Sequence, residues 1–133
     1  RTLKELIQSK TALKYFNSMI ENQKGDIEKF KSSTKPKYEE RIYAKEHGFI
    51  RDLDTEKIGW ALVELGCGYK NPNDLLDYTA GVEFLKKIGA EVQLDEPIYR
   101  VFNSNSKKLK NCLKLLMNTF TIGTYSKKIK LIL

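Results

Sequence analysis

Within residues 9–24, Ala12, Tyr15, Phe16, Met19 and Ile20 recur at spacings of three and four, placing them on one stripe. That period predicts an amphipathic helix. Gly25 and Asp26 end it, and Asp26 is suited to cap a short turn over residues 27–30. The run Lys31-Ser32-Ser33-Thr34-Lys35-Pro36-Lys37 is polar and contains proline, so it reads as a loop and as the linker of the chain.

Beyond that linker the pattern changes. Arg41-Ile42-Tyr43-Ala44 predicts a strand, Gly48 interrupts it, and Phe49-Ile50-Arg51 extends again. Asp54 or Thr55 is the predicted N-cap of a helix that turns Ile58, Ala61, Leu62 and Leu65 inward, with Gly66 as its stop. Residues 66–74 read as a loop, residues 82–85 and 98–102 as short strands, and Gly89, Asp95 and Pro97 as turn markers. A last helix over residues 106–119 sets Leu109, Cys112, Leu113, Leu116 and Met117 toward a core. Ile129, Leu131 and Leu133 predict a terminal strand with one dry side. Helices followed by interspersed strands and helices make an α+β pattern rather than a regular βαβ alternation.

The chain has 133 residues, which suits one compact unit with a helical preface. With 41% hydrophobic and 31% charged residues it falls among folded proteins, away from the disordered class. The formal net charge is +7, and the excess gathers late, in Lys107, Lys108, Lys110 and Lys114 and again in Lys127, Lys128 and Lys130. Such a field attracts nucleic acid, acidic membrane or phosphorylated ligands without choosing among them. Two distant cysteines, Cys67 and Cys112, and the single His47 cannot assemble a zinc framework, and they suit a reducing, cytoplasmic setting. No apolar run reaches the roughly 18–20 residues of a membrane span. The start, Arg1-Thr2-Leu3-Lys4-Glu5, lacks a signal-peptide core, and its Arg rather than Met suggests a piece of a longer protein.

Few residues invite chemistry. Gly66-Cys67-Gly68 resembles a phosphate-cradling loop, but it follows a helix instead of opening one, so a helix C-cap explains it better. Asp52, Asp54, Asp74, Asp77, Asp95 and Glu96 could supply a carboxylate pair or a hard-metal site, yet they stand at turns and helix starts, where aspartate serves as a cap. His47 and Glu46 are neighbours on an extended segment and point to opposite faces. Neither cysteine has a local activating partner, and Cys112 lies on an apolar stripe. The late lysines with Tyr99, Phe102 and Tyr125 could form a basic aromatic surface for single-stranded nucleic acid, the rival reading as an autonomous binding module.

One family resemblance runs through nearly the whole chain. Lys10-Thr11-Ala12-Leu13-Lys14-Tyr15-Phe16, then Met19-Ile20 and Gln23-Lys24-Gly25-Asp26, resembles the GKALEKF…MIxxQGGD run of thymidine and pyrimidine-nucleoside phosphorylases. Ala44-Lys45-Glu46-His47-Gly48-Phe49-Ile50 is similar to their AxxxG[YF][IV] entry strand, and Asp54 with Ile58-Gly59 and Ala61 to their IDxxxIGxA helix start. Leu65-Gly66-Cys67-Gly68 resembles LGAG, Asp77 through Gly81-Val82 resembles DxxxG[IV], and Lys87-Ile88-Gly89-Ala90-Glu91-Val92 with Glu96-Pro97-Ile98 resembles K[IV]GxxV…EPL. Departures are Tyr69-Lys70 where arginine often follows the glycines, Thr79-Ala80 before Gly81, and Asp95 where a glycine often precedes Glu-Pro.

The resemblance implies the C-terminal portion of such an enzyme. Residues 1–37 would be a helical segment and linker from the parent's α/β lobe, and residues 38–133 a C-terminal domain of β-hammerhead type, barrel-sandwich-like, with flanking helices. The parent would be a homodimer that carries out reversible phosphorolysis: inorganic phosphate attacks the anomeric carbon of a pyrimidine nucleoside, releasing base and a pentose 1-phosphate. The phosphate loop and the nucleoside-binding residues would precede this segment. No catalytic, substrate-binding, cofactor or metal-binding residue is therefore assigned here, no cofactor is implied, and the piece alone is expected to be inactive. The related carrier domains use a Met-Lys-Met-like hairpin, which this chain lacks.

Overall fold

The computed structural model describes residues 2–125. It separates into two compact units, one through Lys35 and one from Pro36 onward.

The first unit is three helices, α1 (Thr2–Gln8), α2 (Thr11–Asn22) and α3 (Ile27–Ser33). α2 begins two residues later than the hydrophobic pattern suggests, because Lys10 adopts left-handed geometry, φ 55°, just before it. At its other end Lys24 also has positive φ, 59°. The Gly25 amide then donates to the Ile20 carbonyl at 2.8 Å, a closure in which the chain turns back on the last helical turn. A Cβ on Gly25 would sit 2.8 Å from Ile20 Cγ2, so the turn is tight as well as left-handed. Asp26 caps α3 by accepting from the Lys29 amide at 2.9 Å, as its position predicts.

α3 continues through Ser33, into the run expected to be loop. Its last turn is held by local polar groups: Lys31 pairs with Glu28 at 2.8 Å, and the hydroxyls of Ser32, Ser33 and Thr34 donate to carbonyls of Lys29 and Phe30. The apolar stripe of α2 has helical spacing, but no residue of α2 or α3 is buried.

The second unit carries two three-stranded antiparallel sheets and two helices, an α+β fold. One sheet has the order β1 (Tyr38–Tyr43), β5 (Pro97–Asn103), β3 (Gly81–Phe84). The other has the order β4 (Glu91–Val92), β2 (Gly48–Leu53), β6 (Phe120–Gly123). Among the described residues the strands form two separate sheets rather than a closed barrel. β5 is flanked on both edges, with Val101 opposite Glu40 on one side and Val82 on the other. Its register slips by one residue where Tyr43 meets Pro97, since proline has no N–H to give the ladder. Phe102 lies over Gly81, where an added Cβ would come within 2.7 Å of the ring.

α4 (Thr55–Leu65) and α5 (Ser106–Leu116) pack against each other and supply Ile58, Ala61, Leu65, Leu109, Cys112 and Leu116 to one core with Ile42, Ile50, Val92, Ile98, Tyr99 and Val101. Tyr99 is fully buried, edge-on to Phe84 and Phe120 at 5.2 and 5.7 Å, and its hydroxyl reaches Thr119 Oγ1 at 3.3 Å. That polar partner makes a buried phenol tolerable.

α5 ends at Leu116, because the Thr119 hydroxyl donates to the Leu116 carbonyl at 2.7 Å and the chain departs into β6, so Met117 is exposed rather than core. The short strands β4 and β6 leave no mark in the pattern; both are edge strands whose pairing with β2 is non-local. The terminal strand expected around Ile129, Leu131 and Leu133 lies outside the described residues.

Candidate functional site

The second unit has a cleft of about 340 Å³ where the end of α4, the loop after it and the start of α5 meet. Its walls include Glu64, Lys70, Asp74, Asn105, Lys108 and Asn111. Gly66 closes α4 at φ 103°, with its amide on the Val63 carbonyl at 3.0 Å and the Cys67 amide on the Leu62 carbonyl at 2.9 Å. This is a helix C-cap and not an anion cradle, as the order of helix and glycines implies. Lys108 lies over it: a Cβ on Gly66 would be 3.1 Å from the Lys108 Nζ.

Behind the cleft a polar cluster ties the loop to the end of β5. Asp77 accepts from the Thr79 amide at 2.9 Å, the Thr79 hydroxyl at 2.6 Å and the Ser104 amide at 3.4 Å. The Thr79 and Ser104 hydroxyls are 2.6 Å apart, and because Thr79 gives its proton to Asp77, Ser104 donates to Thr79. Partial burial works against the Asp77 charge, but these hydrogen bonds outweigh it and hold the carboxyl below its ordinary value. Buried Asn103 donates to the Leu65 carbonyl at 2.5 Å and accepts from the Asn105 amide, while Asn105 caps α5 through the amides of Lys107 and Lys108. The cap at Asn105 is legible as an Asn just before an apolar-periodic run. The Asp77–Thr79–Ser104 cluster joins residues far apart in the chain, and no local signal announces it.

The other acidic candidates act as caps and turn locks. Asp54 caps α4 through the Lys57 amide at 3.0 Å and pairs with the Lys57 amine at 2.8 Å, which lowers its pKa. Asp74 Oδ2 accepts the amides of Asn71 and Lys70 at 2.9 and 2.8 Å, and those backbone donors lower its pKa. Glu96 is lowered first by Lys86, its ion-pair partner, and then by the Gln93 amide. Asp95 is exposed with φ 62°, and Asp52 is exposed on β2. Glu64 pairs with Lys70 across the cleft wall.

His47 and Glu46 are both exposed in the turn between β1 and β2. Both thiols are raised: Cys67, although exposed, goes up by partial desolvation with Asp77 adding to it, and buried Cys112 is pushed up to about 12, so neither is an activated nucleophile. Among the described residues no group of three or more His, Cys, Asp or Glu side chains is placed to hold a metal ion. No helix of the described residues is long and apolar enough to cross a membrane. Lys107, Lys110 and Lys114 of α5 are exposed while Lys108 is half-buried over Gly66, and Tyr99, one of the aromatics considered with them, is fully buried and offers no face for stacking.

The helical unit has its own groove of about 650 Å³ between α2 and α3, with Leu13, Phe16, Ile20 and Ile27 along it and Glu21, Asp26, Glu28 and Lys31 at its rim.

The pattern described as Pyrimidine nucleoside phosphorylase C-terminal domain matches residues 49–123, more than half of the chain. A pyrimidine-nucleoside phosphorylase of Staphylococcus epidermidis (strain RP62A) is 31% identical over 121 residues, covering 89% of this chain and 28% of that protein. One from Staphylococcus aureus (strain USA300) is 31% identical over 124 residues, covering 91% of this chain and again 28% of the relative. The chain thus spans little more than a quarter of the length of these curated relatives. The central strand β5, all of β2 but Gly48, α4, α5 and the cleft between them fall inside the matched region. On that evidence the chain belongs to the pyrimidine nucleoside phosphorylase C-terminal domain family.

Proposed function

We propose that this chain is the C-terminal portion of a pyrimidine-nucleoside phosphorylase, a cytoplasmic homodimer in its intact form, and that it completes and stiffens the lobe that closes over phosphate and nucleoside. In the intact enzyme, phosphate oxygen forms a bond to the anomeric carbon as the bond from that carbon to the pyrimidine breaks, giving free base and (deoxy)ribose 1-phosphate. The observation that carries this reading is the reach of the similarity. Residues from Pro36 onward make up under three quarters of the chain, whereas the phosphorylases match 89% and 91% of it, so the likeness extends into the helices ahead of the C-terminal domain. Two proteins that shared only a transplanted domain would not match there.

The chemistry of the cleft supports a positioning role. Its carboxylates are engaged by Lys70 and by backbone amides, and the two cysteines are held as thiols. A domain of this kind contributes to turnover by setting the closed geometry without touching the reactants. The two described cysteines are free thiols, which agrees with a reducing compartment.

The test is a chimera in which this chain replaces the matching segment of the S. aureus relative. Phosphate-dependent release of uracil or thymine by the chimera, and its loss when the segment is deleted outright, is the expected result. Undiminished release after the deletion would remove the role proposed for this domain.

A further inference from the structure

We draw no further inference here: the strongest candidate, the cleft between the end of α4 and the start of α5 as a site for a phosphorylated ligand on Lys107 and Lys108, rests on a helix N-terminus that Asn105 already caps, with no second observation pointing to a ligand, since among the described residues no buried side-chain polar atom lacks a partner.

Discussion

Replacing Gly48 with alanine puts a methyl carbon 2.6 Å from Ile122 Cγ2 and 2.8 Å from the Gly123 carbonyl oxygen. The Ile122 methyl can rotate away, but the carbonyl belongs to β6, where Gly123 pairs with Phe49. The sheet must therefore open by several tenths of an ångström at its β2–β6 seam. Overpacking of this kind costs about 1–3 kcal/mol. Gly59 provides the contrast, because it lies inside α4 and an added Cβ there meets nothing within 4 Å. Alanine at that position lowers the chain entropy of the unfolded state and gains about 0.5–1 kcal/mol. For a unit of this size each kcal/mol moves the melting midpoint by about 4–8 °C. Thermal melts of the 133-residue chain followed by circular dichroism should thus show Gly48→Ala falling by at least about 4 °C and Gly59→Ala rising by a few degrees. Shifts of the same sign, or a Gly48→Ala midpoint at or above the parent's, would refute the packing described for the second sheet.

Asp95 holds φ 62° where the phosphorylase motif often has glycine, so Asp95→Gly should stabilise the chain by up to about 1 kcal/mol in guanidinium titrations; a loss of stability would contradict the turn geometry. Lys10 and Lys24, at φ 55° and 59°, also align with glycines of the GKALEKF and QGGD runs, and each Lys→Gly change should act in the same direction on helix content. The carboxyls of Asp77 and Glu96 are held below their ordinary values of 3.8 and 4.5, so the stability they contribute is present above those values and is lost as pH falls through the depressed ones. Stability should accordingly drop below about pH 4.5, and Asp77→Asn should flatten part of that limb in acid titrations of the folded fraction. Cys112 is raised to about 12 from an ordinary 9.0, so its contribution is full below pH 9.0 and lost as pH rises toward 12. At pH 8 a thiol reagent should label Cys112 only after denaturation, and rapid labelling of both thiols in the native chain would contradict its burial.

The elements that the sequence announces are those with a local physical signature. α2, α4 and α5 show as apolar spacing of three and four, and Asp26, Asp54 and Gly66 sit where cap chemistry requires them. The last turn of α3 was hidden because its stability comes from Ser32, Ser33 and Thr34 bonding back to the helix, and the same residue types equally suit a loop. β4 is two residues long and exists only through its register with Gly48 and Phe49, which no window of residues 91–92 can reveal. The stripe of α2 is legible as an amphipathic helix, yet it stays exposed among the described residues, because periodicity states that a face needs covering, not what covers it. In the cleft, the caps were legible singly, while the convergence of Asp77, Thr79 and Ser104 depends on β5 returning beside the loop.

The central claim is that this segment shapes a phosphorylase without supplying a group that reacts. In the S. aureus chimera, Glu64→Gln, Lys70→Met, Asp74→Asn and Lys108→Met together should leave kcat for phosphate-dependent base release within about threefold, since losing a general acid or base costs roughly 10²–10⁴. A fall of two orders of magnitude or more, with the melting midpoint unchanged, would contradict it.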